Sequence, residues 1–344
     1  MKRVYTCLLA FCSLAALFAT SCKKSGSSNY GVVSVNTDES RLNQLFAGLR
    51  TAPQNISVTA GASQTVYCLN GTKLTFYPNS FMDKEGNTLV KGIVNLQVTE
   101  IYTPGDMIAN RVATTSGGKL LTSGGQVQIA ATMNGEEVFA NKYGIGFRQH
   151  TAKQQPMSLF YGGAGSDDSV VVWGAPVASQ TGTFVNGTIT TSDTNLVVVV
   201  TSSGTYTITT HSALMTYYQF DSCASFRWIN CDYFHDSLAE LTDMRVMMPD
   251  TSFNQSNTEV FIVFPTINAA AHMTKYDAAT HTFHLAQGAY IPVGMHVDIV
   301  VATNKNGSYY YFGENSVTTE SRMFLYAQMS LVSLAYIRSQ LDNL

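Results

Sequence analysis

Between residues 71 and 136 apolar side chains recur at every second position, and this period limits most what the chain can fold into. Val94, Leu96 and Val98 alternate with Asn95, Gln97 and Thr99, and Val127, Ile129 and Ala131 repeat the pattern. Such a period puts one set of side chains on a buried strand face and the other in water. Asn134-Gly135 follows, a dipeptide suited to a two-residue hairpin because both residues tolerate positive φ. Asn-Gly recurs at positions 70, 186 and 306, and Lys84-Glu85-Gly86-Asn87 marks a further turn. The stretch predicts an antiparallel β module closed by tight turns.

The same signals continue along the chain. Strands are predicted near residues 184–190, 196–200, 206–209, 244–248, 260–264, 281–285, 295–302, 308–312 and 323–326, with a turn at Asn186-Gly187. The β-branched run at residues 197–200 reads as a strand buried on both faces. Leu42, Leu45, Phe46 and Leu49 keep helical spacing ahead of Pro53, and Leu331, Leu334, Ile337 and Leu341 do so at the C-terminus. The expected fold is all-β: two antiparallel β-sandwich-like modules with a short N-terminal helix and a C-terminal helix. The first module spans residues 37–150, a connecting β segment 151–215, and the second module 216–344.

The first residues follow other rules. Met1-Lys2-Arg3 is a short positive segment, residues 4–18 are an apolar run of signal-peptide length, and Ala19-Thr20-Ser21 leads into Cys22. The run is too short for a permanent membrane span. Small residues directly before a cysteine resemble the lipobox of bacterial lipoproteins, and endings in Ser-Cys resemble those of Bacteroidetes-type lipoproteins. Ala19 stands where the commonest lipobox carries Leu. The resemblance implies a signal peptide at residues 1–21, palmitate-bearing lipid on Cys22, and membrane attachment through that lipid. Residues 22–36, rich in Ser and Gly, read as a tether. Lys23 stands where Asp would imply inner-membrane retention, so the resemblance implies an outer-membrane address, on either face.

Charged residues make up 12% of the chain, about half the usual share of roughly 25%, which suits an extracytoplasmic β protein. The net charge of −3 becomes −5 once Lys2 and Arg3 leave, because residues 1–21 contain no acid. Without a basic stripe, nucleic acid is not an expected partner.

A second resemblance rests on Gly71-Thr72, Pro78-Asn79-Ser80-Phe81, Gly86-Asn87, Val90-Lys91-Gly92 and the run from Val94 through Leu96 and Val98 to Glu100. This order resembles a β-rich module of Bacteroidetes lipoproteins that is similar to the ZU5 domain. Asp106-Met107-Ile108 and residues 120–125 continue the likeness. The tract Trp228-Ile229-Asn230-Cys231-Asp232 resembles one that follows the ZU5-like part in such proteins. There, Gly usually precedes the Trp and Arg follows the Asp; here those positions hold Arg227 and Tyr233. The likeness implies architecture and a scaffolding or protein-contact role, without chemistry.

Catalytic and metal-binding patterns are weak. Cys68, Cys223 and Cys231 survive processing, an odd count that cannot complete a disulfide framework. Cys223 and Cys231 are compatible with a bridge and equally with buried free thiols. Cys223, Cys231, Asp232, His235 and Asp236 fall within fourteen residues, but no second cysteine pair supplies zinc spacing. His281 and His284, three apart in a strand, point to opposite faces. Ser116-Gly117-Gly118-Lys119 matches the Ser-x-x-Lys spacing of penicillin-binding enzymes, yet that chemistry needs a helical turn and two glycines make a hairpin. The expectation is no enzyme, no catalytic residue, no metal and no cofactor. In Tyr309-Tyr310-Tyr311-Phe312, Tyr309 and Tyr311 share one strand face and are candidate contacts for a ligand or partner, with cross-strand packing as the alternative. The expected function is an outer-membrane-anchored lipoprotein with a structural or protein-interaction role. The alternative is a glycan-binding surface lipoprotein using an aromatic platform; either way the protein or glycan partner is unknown.

Overall fold

Strand Ile93–Ile101 carries out the alternation read from the sequence: Val94, Leu96 and Val98 are buried, while Ile93, Asn95 and Gln97 are exposed. The computed structural model describes residues 37–149, 155–164, 171–178, 182–188, 199–201, 204–206, 214–286 and 289–344. The expected signal peptide, Cys22 and tether lie outside the described residues, as do positions 197 and 198 of the valine run.

Ile93–Ile101 lies antiparallel between Gln54–Thr59 and the long strand Lys119–Met133. That long strand also pairs with Arg227–Phe234, which pairs with Ser158–Ala164, which pairs with Val171–Trp173. The last runs parallel to Val112–Ser116, and Val112–Ser116 returns by a hairpin to Lys119–Met133. Five strands thus close a ring, which leaves no free edge there. Across from them lies an antiparallel sheet ordered Thr183–Thr188, Leu214–Cys223, Tyr143–Arg148, Lys73–Phe76 and Gln64–Tyr67. Val94, Val127 and Ile129 from one side meet Leu74, Phe76, Tyr143 and Phe147 from the other, and this is the first core.

Glu100, which ends the alternating run, holds a hairpin in place. Its Oε2 accepts from Gln54 Nε2 at 2.7 Å and from the Asn70 backbone N–H at 2.6 Å. Its Oε1 accepts from the Thr72 N–H at 2.8 Å. The carboxylate supplies acceptors for turn N–H groups that burial would otherwise leave orphaned. Thr72 and the distant Glu100, the two ends of this stretch, therefore bond to each other.

The second core packs a four-stranded sheet (Lys275–Asp277, Thr282–His284, Met244–Met247, Met323–Tyr326) on a five-stranded one (Ala269–His272, Thr258–Phe264, His296–Lys305, Ser308–Thr318, Ser330–Val332). Thr258–Phe264 is buried along its whole length. Val260, Ile262 and Phe264 face the four-stranded sheet, whereas Phe261 and Val263 face helices. These are α1 (Thr37–Leu49), the unexpected short α2 (Pro104–Ala109) and α3 (Leu334–Leu341). Leu42, Leu45, Phe46 and Leu49 of α1 meet Ile337 and Leu341 of α3 on that face. Thr103 caps α2 by accepting from the Asp106 N–H at 3.2 Å, and Pro104 suits the first turn, where no N–H partner is lost.

Three expectations shift. Leu214–Cys223 and Arg227–Phe234 complete the two sheets of the first core, so that core continues to Phe234 and the division placed at 215/216 falls inside it. Asn186-Gly187 lies within Thr183–Thr188, opposite Thr216 and Met215, because cross-strand pairing overrides the local turn preference. Leu331 belongs to strand Ser330–Val332, and the helix starts only after Ser333, which caps it. The other three Asn-Gly pairs turn hairpins, at Asn134-Gly135 and Asn306-Gly307 with positive φ at both residues.

The two cores meet through polar contacts as well as apolar ones. Thr114 Oγ1 accepts from the Ala270 N–H at 2.8 Å and donates to the Ala270 carbonyl at 3.1 Å. Asn268 Nδ2 donates to the Tyr102 carbonyl at 3.0 Å. Arg111 Nη2 donates to Glu259 Oε1, Glu259 Oε2 faces His272 Nε2, and Arg111 Nη1 donates to Asn43 Oδ1 at 2.7 Å. The guanidinium lies 5.2 Å from the Phe46 ring centre. Burial pushes the Glu259 carboxyl up, but His272 and Arg111 beside it more than reverse this, so it titrates below its ordinary range.

Candidate functional site

Where the chain crosses from one sheet of the first core to the other, three residues, Ala224 to Phe226, join Leu214–Cys223 to Arg227–Phe234. So short a link leaves little conformational choice. Phe226 is buried against Phe81 and Tyr143, with ring centres 6.1 and 5.2 Å away. Tyr143 hydroxyl donates to the Ser225 carbonyl at 2.9 Å, and the Ala224 N–H donates to Tyr161 hydroxyl at 3.1 Å. Pinned at both ends, the chain turns into its next strand through Arg227 at φ 77°. A side chain larger than glycine is strained in that region. The position before Trp228 is thus left-handed although it holds Arg.

Beside this turn is a cleft of about 480 Å³. Its rim holds Arg227, Glu137, Gln128 and Trp228, and Gly162 and Gly163 form part of its wall. Arg227 Nη2 is 3.2 Å from Glu137 Oε1, and with both side chains more than half exposed the pair adds little stability. Trp228 is half-buried and its indole N–H has no hydrogen-bond partner among the described residues. Trp173 differs, being buried with its indole N–H donating to the Ala113 carbonyl.

Farther along the same strand pair lies a buried polar group. Gln126 faces Asn230 and Ser123 faces Asp232, with a β-bulge between them. The bulge needs glycine: a Cβ on Gly125, at φ 124°, would come within 2.3 Å of the Tyr102 ring, and one on Gly124 within 2.5 Å of Met157 Sδ. Asn230 Nδ2 donates to Asp232 Oδ2. Gln126 Oε1 and Nε2, Asn230 Oδ1 and Asp232 Oδ1 are buried without a protein partner. Burial pushes the Asp232 carboxyl up, hydrogen bonds from Ser123, Asn230 and Gly124 pull it back, and the balance is about 8. Residues 228–232 thus pair along residues 123–128 and meet the 120–125 tract at Ser123, which their separation in sequence conceals.

The sequence-predicted site residues are placed as follows. Cys22 lies outside the described residues. Tyr311 is buried against α1 and α3, 5.9 Å from the Tyr336 ring, and Tyr309 packs half-buried on the same cluster. Tyr310 and Phe312 pack on the second core. Both faces of the run are therefore covered, and Tyr309 with Tyr311 does not form an exposed platform. Cys68, Cys223 and Cys231 are free and buried. Burial pushes all three thiols up, which makes them poor nucleophiles and ligands. Among the described residues no three His, Cys, Asp or Glu side chains are grouped to hold a metal. His281 occupies a left-handed turn, and His284 Nδ1 lies 3.0 Å from the Leu285 carbonyl. Gly117 and Gly118 form the turn between Ser116 and Lys119, with φ of 57° and 77°. The Ser116 hydroxyl donates to the Gly174 carbonyl at 2.7 Å rather than to the lysine. His235, Asp236 and Lys119 do line one cleft of about 340 Å³ with Tyr290 and Leu241. There His235 Nδ1 is 3.4 Å from Thr122 Oγ1, and Lys119 Nζ lies 5.6 Å from the Phe234 ring centre.

Sequence reasoning missed one surface. Phe324 and Tyr326 are 59% and 56% exposed on the same face of Met323–Tyr326, an edge strand of the four-stranded sheet. Arg245 lies over Phe324 at 5.7 Å from its ring centre. The strand itself was legible. Its exposed face was not, because Met323-Phe324-Leu325-Tyr326 is apolar throughout and carries no alternation. No protein-family model matches the chain, and a search of curated proteins finds no match.

Proposed function

We propose that the protein is a lipoprotein of the bacterial envelope, held in the outer membrane by lipid on Cys22, whose folded part serves protein contact rather than catalysis. The leader, the small residues before Cys22 and the Ser/Gly-rich tether support the anchor. No helix among the described residues is long and apolar enough to cross a membrane. The observation that carries the contact role is the pair Phe324 and Tyr326 on the edge strand, whose partner among the described residues is Met244–Met247 on one side. An edge strand with aromatic side chains can accept a partner's strand through its backbone and anchor it through the rings.

The test is recovery from detergent-solubilised envelopes with the lipidated protein as bait. The Phe324→Ser/Tyr326→Ser variant should lose a partner that the wild type retains, with its melting temperature within a few degrees because both positions are exposed. Identical recovery by both proteins would remove this surface from the proposal.

A further inference from the structure

The geometry points to the cleft at the Arg227 turn as a binding site for a neutral saccharide. This goes beyond the protein-contact reading and concerns a different surface, remote in sequence from Phe324 and Tyr326. Charge supplies the first argument. Arg227 and Glu137 are the charged residues lining the cleft, and they sit side by side at 3.2 Å, so the lining is neutral. An ionic ligand attracted by one of them is repelled by the other. A polyol is not, because each hydroxyl can both accept from the guanidinium and donate to the carboxylate. Gln128 and Ser225 add groups of the same dual kind.

Trp228 supplies the second argument. Trp228 packs on the cluster that holds Leu121, Phe160 and Trp173, its part-exposed remainder lines the cleft, and its indole N–H has no hydrogen-bond partner among the described residues. A sugar ring presents the matching chemistry, with an apolar C–H face bordered by hydroxyl acceptors. Gly162, the register partner of Trp228, keeps this wall free of a side chain: a Cβ there would come within 2.8 Å of Val171 and Trp173. The volume of about 480 Å³ falls in the range of small-molecule sites, roughly 300–1,000 Å³. The site is also set in advance. Phe226 is locked into the core and Arg227 is held left-handed despite the strain, which fixes the backbone of this wall before any ligand arrives.

The experiment titrates the mature protein with neutral sugars (hexoses, N-acetylhexosamines and their short oligomers) and with uronic acids, read by tryptophan emission and calorimetry. The chain has two tryptophans, and Trp173 is buried with its N–H bonded, so a ligand-dependent emission change reports Trp228. At least one neutral sugar should give a saturable change at millimolar concentration. Trp228→Phe should weaken that sugar about tenfold through loss of indole area and of the N–H. Arg227→Gly should weaken it similarly while melting at the same or a higher temperature, since glycine accepts φ 77° without strain. That second variant keeps the test independent of folding. The inference is overturned by the lack of saturable binding for any neutral sugar, by preference for uronic acids, or by unchanged affinity in both variants. The Phe324→Ser/Tyr326→Ser protein should bind the sugar like wild type, so failure at one surface is distinguishable from failure at the other.

Discussion

Replacing Glu259 by Gln should lower the unfolding free energy by about 3–5 kcal/mol, as expected when one member of a buried ion pair is removed. Glu259 and Arg111 are each 4% exposed, and the pair joins the start of Val112–Ser116 to the fully buried strand Thr258–Phe264. With the carboxylate gone, Arg111 keeps its charge, the Asn43 carbonyl oxygen and the Phe46 ring, in a buried setting. A buried ion costs far more unpaired than paired. The double variant Arg111→Met/Glu259→Leu removes both charges and should recover most of the loss, because an apolar replacement of a buried pair is often neutral. Urea unfolding of the three proteins measures this directly. A Glu259→Gln loss under about 1 kcal/mol, the size of an exposed pair, would mean that water reaches this joint.

Asp232→Asn should do the opposite, and its effect should depend on pH. The Asp232 carboxyl titrates at about 8 in the folded chain, mainly because burial disfavours its charged form. Unfolded, it returns to an ordinary value near 3.9. Between those values the folded state holds a proton that the unfolded state has lost, so stability falls as pH rises. The penalty is absent below about pH 4, grows through neutrality and levels off above pH 8. At about 1.4 kcal/mol per pK unit it reaches on the order of 5 kcal/mol as an upper bound. Asn cannot ionise, yet its amide can give the neighbouring Gln126 and Asn230 oxygens the donor that a protonated carboxyl gives. The variant should match wild type near pH 4 and exceed it by several kcal/mol at pH 8. Parallel stability curves across that interval would mean that Asp232 is ionised in the folded state.

Local pattern made much of this fold legible, and long-range contact hid the rest. The period at Val94, Leu96 and Val98 fixed a strand and its buried face, and Asn134-Gly135 and Asn306-Gly307 fixed turns, because strand and turn depend on nearby residues. Asn186-Gly187 carries the same turn signal but lies in a strand, its backbone engaged by Thr216 and Met215 some thirty residues away. Tyr309 and Tyr311 share a face, as the two-residue period predicts. What covers that face is α3, which brings Tyr336 against Tyr311, together with α1, which precedes them by more than 250 residues and leaves no mark on the local sequence. The Ser123–Gln126 and Asn230–Asp232 cluster was hidden for the same reason. Each half reads as an ordinary strand with a few polar residues, and only their pairing gathers four orphaned polar atoms. Arg227 is intermediate: the residue is plain in the sequence, but its left-handed backbone, which glycine takes without strain, is set by the fold.

The most direct measurement of the central proposal, a protein-contact module on a lipid anchor, concerns Cys22. Each buried CH₂ of an acyl chain contributes about 0.8 kcal/mol, so several chains on one cysteine make attachment effectively permanent. Cells expressing wild type or Cys22→Ala would be labelled with palmitate and fractionated. Wild type should take up label, lose residues 1–21 and follow the membrane into detergent. Cys22→Ala should take up none and accumulate as an uncleaved precursor or a soluble form. A Cys22→Ala protein that is cleaved, unlabelled and still bound to membranes would contradict the proposal.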